Sequence, residues 1–256
     1  MASRTRGFTM LATTAALSGA LLVGSTVLSG PDNADAAGKP KEPANIGQVK
    51  NDVKQYYGDY LDPSGKHHAS STSQWAKQTA TEIASARRWL ERKLLDGVKN
   101  PAIVLDIDDT SELTYGFEAD RDFGFDQTAF DNAVNAGEFT AIEPTRELTQ
   151  WASKHGVKVY FLTGRKENLR AGTVKSLHKN GFPEPKELFL KPLDKPLPWL
   201  PCGLTCNTVQ YKAGTRAHLE AQGDTVLLSV GDQFSDLEGG HAERLVKLPN
   251  PMYYLP

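Results

Sequence analysis

The sequence predicts an α/β protein built on an open, doubly wound, mainly parallel sheet. Two observations carry that expectation. From Ala102 onward, apolar runs of four to six residues alternate with helical segments, and the runs lack the polar alternation of a half-exposed strand. Acidic and hydroxyl residues directly follow several of those runs, where an open parallel sheet keeps its ligands.

The first stretch reads as a leader. Arg4 and Arg6 form a basic head, Phe8 to Leu28 is uncharged, and Ala34-Asp35-Ala36 places small residues where a signal peptidase reads, so residues 1–36 are expected to be removed after Ala36. A retained anchor is the rival reading, because about 20 apolar residues span a bilayer; abundant Gly, Ser and Thr favour cleavage. The arginines are not adjacent, which argues against twin-arginine export. The mature chain is expected outside the cell, with no membrane attachment.

Residues 37–98 read as a polar tail and a helical extension. Ala37 to Pro43 has the composition of a disordered segment. Ile46 to Tyr60 has helical spacing through Val49, Val53, Tyr56, Tyr57 and Tyr60, and Asp62 to Ser73 reads as a loop. Thr72 to Leu95 predicts a longer helix whose buried stripe is Ala76, Ala80, Ile83, Ala86, Leu90 and Leu94, ended by Gly97.

Residues 99–256 hold the predicted sheet. Its strands are Ala102–Leu105, Val157–Leu162, Glu187–Leu190 and Thr225–Val230, with Leu245–Leu248 a weaker fifth. Helices are expected over Pro144–His155, Arg170–Asn180 and Ala213–Gln222, the first two stopped by Gly156 and Gly181. The interval of about 111–142 is too long for a simple crossover and predicts an insertion.

A chain of 256 residues with 39% hydrophobic and 23% charged composition can bury one good-sized core. With 29 Lys and Arg against 31 Asp and Glu, scattered along the chain, nothing favours binding to a nucleic acid polymer. The six histidines show no ligand spacing, and no phosphate-binding glycine loop or dinucleotide fingerprint occurs. Cys202 and Cys206 are the only cysteines, and in an exported protein a local disulfide is the expected use.

Chemistry concentrates at the strand ends. Asp106-Ile107-Asp108-Asp109-Thr110 follows the first strand, Thr163-Gly164-Arg165 the second, and Gly231-Asp232-Gln233-Phe234-Ser235-Asp236 the fourth, while Lys212 is expected to open the helix before that fourth strand. Such a carboxylate cluster needs a counter-charge, and oxygen-only ligands suit Mg²⁺. Metal and lysine together offset the charge of a transferring phosphoryl group, and an aspartate can carry it covalently. Asp109 reads as a helix cap, Thr110 as a loop-shaping hydrogen-bonding residue, and Lys191, after the third strand, as a competitor of Lys212.

These four signals, in this order, resemble the haloacid dehalogenase superfamily. Leu105 to Ser111, Tyr211-Lys212 with Arg216, and Gly231 to Leu237 resemble more narrowly the secreted acid phosphatases related to plant vegetative storage proteins. The resemblance spans about Ile103 to Leu248. It implies Asp106 as nucleophile and metal ligand, and Asp108 as general acid and base with its carbonyl on the metal. It implies Thr163 and Gly164 at the phosphoryl group with Lys212, and Asp232 and Asp236 completing a Mg²⁺ site. Asp at position 108 favours phosphoryl transfer over dehalogenation. The insertion is expected to form a small helical cap, whose aromatics Tyr115, Phe117, Phe123, Phe125 and Phe130 either stack on a substrate ring or fill the cap's own core. Tyr115 and Phe117, nearest the catalytic loop, are the expected substrate neighbours. A small phosphomonoester is the implied substrate. An exported nucleotidase, a phosphotransferase that uses an alcohol acceptor, and a non-catalytic storage protein are the alternatives.

Overall fold

The structure, a computed structural model, describes residues 42–256. The expected leader lies outside the described residues. After helix α1 (Ile46–Tyr57) comes a short antiparallel hairpin, β1 (Tyr60–Leu61) and β2 (His67–His68), and then helix α2 (Gln74–Leu95). Strand β3 (Pro101–Leu105) leads into an insertion bounded by β4 (Glu112–Leu113) and β5 (Thr140–Ala141), with helices α3 (Tyr115–Ala119) and α4 (Gln127–Ala136) between them. There follow α5 (Glu143–Lys154), β6 (Lys158–Lys166), α6 (Arg170–Lys179), β7 (Glu187–Lys191), α7 (Thr208–Ala221), β8 (Thr225–Gly231) and β9 (Arg244–Lys247).

The main sheet has the order β7-β6-β3-β8-β9, with every pair parallel. Side-chain alternation divides its residues between two layers. Ile103 and Leu105 join Ile83, Leu90, Leu148 and Leu177 from α2, α5 and α6. Ala102 and Val104 join Tyr211 and Leu219 of α7, with Leu200 and Cys206 from the preceding loop. Both faces are covered, which is why the strands read as continuous apolar runs. The strand β3 at the centre is the best-anchored place in the sheet, and Asp106 stands at its carboxyl end, its N–H donating to the Val230 carbonyl at 3.0 Å.

Several local expectations are corrected. Helix α1 stops at Gly58, whose φ of 60° suits glycine at a left-handed cap, so Tyr60 is an exposed hairpin residue and not a helical one. The predicted 62–73 loop contains β2. On α2 the buried stripe is Trp75, Thr79, Ile83, Ala86 and Leu90; Ala80 is exposed, because Trp75 sets the helix phase by packing inward and donating to the Pro249 carbonyl. Helix α7 begins at Thr208, capped reciprocally by Asn207 and Gln210, so Lys212 lies in its second turn. Glycines 156 and 181 follow α5 and α6 at a φ of 76°, the conformation expected beyond a helix end.

Cys202 and Cys206 form a disulfide in the loop before α7. Among the described residues no helix is long and apolar enough to cross a membrane.

Candidate active site

The β3 carboxyl end turns tightly. The N–H groups of Ser111 and Glu112 both donate to the Ile107 carbonyl at 2.8 Å, and Ser111 Oγ donates to the Asp106 carbonyl at 2.7 Å. Asp109 occupies the left-handed region at φ 53°, which Asp tolerates better than most residues. Its carboxylate accepts from Thr114 N–H at 3.0 Å, Thr114 Oγ1 at 2.6 Å and Tyr253 OH at 2.7 Å. Asp109 thus holds the turn against the start of α3, which leaves Asp106 and Asp108 facing the cleft.

Lys212 reaches this turn from α7. Its ammonium, almost fully buried, donates to Asp106 Oδ1 at 2.5 Å and to Asp236. Lys191 lines the same cleft but makes no ion pair with Asp106; α7 delivers the lysine that does. At the end of β8, Asp232 Oδ1 accepts from Thr110 Oγ1 at 3.1 Å, and its Oδ2 accepts from Gln233 and Asn250 at 2.7 Å each. Thr110 therefore ties the loops after β3 and β8 together, a longer reach than the expected local role. Asp236 Oδ2 accepts the Gln233 N–H at 2.9 Å. Gly231 permits this: a Cβ there would stand 2.3 Å from the Asp236 Cβ.

Asp106, Asp232 and Asp236 bring carboxylate oxygens within 4.8 Å of one another. Burial pushes the Asp106 carboxyl well up; Lys212 opposes this, and Asp236 and Asp232 add to it. Burial, with Asp236 and Asp109 beside it, raises Asp232 to about 7, and Asp109 is raised to about 7 chiefly by burial. Lys212 is raised by its two carboxylates against the opposing effect of burial. Three close carboxylates facing one lysine leave net negative charge in a buried place. An oxygen-only donor set of this kind fits a hard divalent cation such as Mg²⁺.

A carboxyl whose folded value lies near 7, against an ordinary 3.8, keeps its proton in the folded state while the unfolded state has lost it. The stabilisation is complete below 3.8 and disappears as pH rises toward 7. Thermal melting in EDTA is expected to occur at a higher temperature near pH 5 than near pH 7.5, with Mg²⁺ raising the higher-pH value. An EDTA profile that is flat, or rises with pH, would contradict it.

Arg165 lines the cleft yet is buried, and its guanidinium is committed to two carboxylates. Its side chain is fully buried, with Nε 3.1 Å from both Asp108 oxygens and Nη2 2.7 Å from Asp108 Oδ1 and 2.9 Å from Glu112 Oε2. Glu112, itself fully buried, also accepts from Ser176 Oγ at 2.6 Å and Asn180 Nδ2 at 2.8 Å. Thr163 lies buried below the cleft, its Oγ1 accepting the Arg165 N–H at 3.1 Å, while Gly164 lines the cleft with open space where a Cβ would stand. Arg216 is buried without a carboxylate partner and donates to the carbonyls of Asp236, Leu237, Glu238 and Gly240. Burial lowers it to about 10.

The expectation that Tyr115 and Phe117 neighbour the substrate is corrected. Tyr115 is fully buried and stacks on Tyr57 with ring centroids 4.3 Å apart, and Phe117 packs edge-on against Phe130 and Phe139. Both lie on α3, where the N-terminal helices and the sheet layer need apolar contacts, so the insertion's core takes them. Thr114, Glu118, Phe123, Phe125 and Phe130 line the cleft in their place. The cleft holds about 500 Å³ and is closed on one side by Tyr253, Tyr254 and Leu255. That wall was not anticipated. Gln233 and Ser235 hold it through Leu255, whose N–H and carbonyl they bind at 3.1 and 3.0 Å.

Comparison with known proteins agrees with this geometry. The Stem 31 kDa glycoprotein of Glycine max is 34% identical over 161 residues, 61% of this chain and 60% of that protein. Acid phosphatase 1 of Solanum lycopersicum is 35% identical over 156 residues, 59% of this chain and 58% of that protein. The chain thus spans about three fifths of the length of these relatives. A class C acid phosphatase from Bacillus anthracis shares the fold, with a TM-score of 0.61 at 18% identity, over 82% of this chain and 86% of that one. The family model for the HAD superfamily, subfamily IIIB (Acid phosphatase), matches residues 26–256, and with a site of this composition at the end of β3 the chain belongs to that family.

Proposed function

We propose that the chain is an exported, Mg²⁺-dependent phosphomonoester hydrolase that works through a phospho-aspartate on Asp106. The observation that supports this most is the state of Asp106. One carboxylate oxygen is held by Lys212, and among the described residues the other accepts no hydrogen bond and belongs to a side chain lining the cleft. That is the condition of a nucleophile oriented by a cation.

In the first step the free Asp106 oxygen bonds to phosphorus as the bond from phosphorus to the ester oxygen breaks. Asp108 gives a proton to the departing oxygen. Water then attacks the phosphorus, passes a proton to Asp108, and releases phosphate with Asp106 restored. Lys212 offsets phosphoryl charge throughout, and the open space beside Gly164 accommodates the phosphoryl oxygens near Thr163. Asp108 rests on Arg165, so its acid role requires it to exchange that guanidinium for the ester oxygen. Asp106, Asp232 and the Asp108 carbonyl would hold the metal, supported by Asp236. Bound there, Mg²⁺ supplies charge neutralisation for the phosphoryl oxygens.

Export is supported by the leader-like residues 1–36 and by the Cys202–Cys206 bridge, which suits an oxidising compartment. The intact Asp106 favours an enzyme over a storage role. The test is hydrolysis of p-nitrophenyl phosphate between about pH 4 and 8. Turnover is expected with Mg²⁺, lost in EDTA and recovered on adding Mg²⁺ back. No turnover at any pH by folded, Mg²⁺-loaded protein would overturn the proposal.

A further inference from the structure

Lys166 and Lys191 stand directly opposite each other at the carboxyl ends of the neighbouring parallel strands β6 and β7. Like charges in register across a strand pair are destabilising. Three neighbouring carboxylates are taken: Glu167 pairs with Arg170, Asp108 with Arg165, and Asp106 with Lys212, while Glu118, which also lines the cleft, makes no ion pair with either lysine. Among the described residues neither lysine has an ion-pair partner. Both line the cleft that contains Asp106, beyond the ends of the strands, where open parallel sheets bind their ligands.

The same cleft also has a wall of a different kind. Phe125, Tyr254 and Leu255 line it and are 63%, 74% and 50% exposed, offering apolar surface and no charge to a bound group. At about 500 Å³ the cleft exceeds what a phosphate alone would fill. An ester bound with its phosphoryl group at Asp106 therefore extends its alcohol portion between an apolar wall and a pair of uncompensated cations.

Resting on the phosphatase reading above, we infer that Lys166 and Lys191 form a second anion subsite, which selects phosphomonoesters whose alcohol portion carries another phosphate or carboxylate. The ligand's anion offsets the repulsion that the pair otherwise carries, and the subsite governs affinity without touching the reacting atoms.

The test is calorimetric binding of phosphonates, which are not hydrolysed, to the full Mg²⁺-loaded chain. An alkyl monophosphonate is compared with bisphosphonates and phosphonocarboxylates of increasing chain length. Exposed ion pairs are each worth a modest amount, so the best-fitting ligand with a second anionic group is expected to bind about three- to tenfold tighter than the monophosphonate. The advantage is expected to shrink with added salt. In the Lys166→Gln/Lys191→Gln double variant the ratio of affinities is expected to fall to about one. The bisphosphonate and phosphonocarboxylate arms show which anion the pair prefers. No advantage at any length, or an advantage that survives the double variant, overturns the inference. Failure of the phosphatase reading shows itself separately, as a chain that discriminates among these ligands yet hydrolyses no ester.

Discussion

Asp106→Asn is expected to reduce turnover of p-nitrophenyl phosphate by about 10⁴-fold or more, the scale seen when a covalent nucleophile is removed. The amide oxygen cannot form the acyl phosphate, and no neighbouring carboxylate can replace it: Asp108 is chelated by Arg165, Asp232 is occupied by Thr110, Gln233 and Asn250, and Asp236 is held by Lys212 and the Gln233 backbone. The same substitution removes one of three crowded carboxylates while Lys212 keeps Asp236 as its partner. The metal-free variant is therefore expected to melt at or above the temperature of the metal-free parent, the usual exchange of stability against function at a charged site. Residual turnover within about tenfold of the parent would remove Asp106 from the mechanism.

Arg165→Ala carries the second large effect. Removing the guanidinium leaves Glu112, fully buried, with the neutral partners Ser176 and Asn180, and takes from Asp108 its one ion-pair partner among the described residues. Breaking a buried pair in this way costs about 3–5 kcal/mol, read as a lower urea midpoint. Arg165→Lys is expected to recover only part of the loss, because an ammonium cannot present the planar fork that meets both carboxylates. Adding Glu112→Gln to Arg165→Ala is expected to restore more, since it removes the orphaned charge. kcat is expected to fall as well, because the loop that carries Asp106, Asp108 and Glu112 loses its tie to β6. A variant as stable as the parent would show that the network carries no net stabilisation.

Much of the site was legible along the chain because its parts are local. A carboxylate at a strand end needs only the apolar run before it, and Asp106 and Asp232 announce themselves by that position, with Asp236 in the turn that follows. Lys212 was legible from its Tyr211 context and its place before the last core strand, and its turn in the helix was misplaced. Asn207 and Gln210 start α7 upstream of the residues with helical periodicity. The disulfide followed from reading two nearby cysteines as those of an exported chain.

Tyr115 and Phe117 show the limit. Aromatic residues after a catalytic loop fit a substrate wall and an apolar core equally well, and only the packing of Tyr57 against Tyr115 separates the two. Arg165 shows it again: the pairing with Glu112 spans 53 residues and the Ser176 bond to the same carboxylate spans 64, distances over which no sequence period operates.

The sequence by itself determined the α/β sheet, the order of the loops that bring carboxylates to its edge and the acidic, metal-suited character of the site. These depend on short-range patterns: apolar periodicity, chain direction and the rule that parallel strands end at the ligand. Only the tertiary structure decided which lysine meets Asp106, what holds Asp108, and which residues wall the cleft. Those contacts join segments far apart in the chain, and their free energies depend on burial and distance, which exist only once the chain has folded.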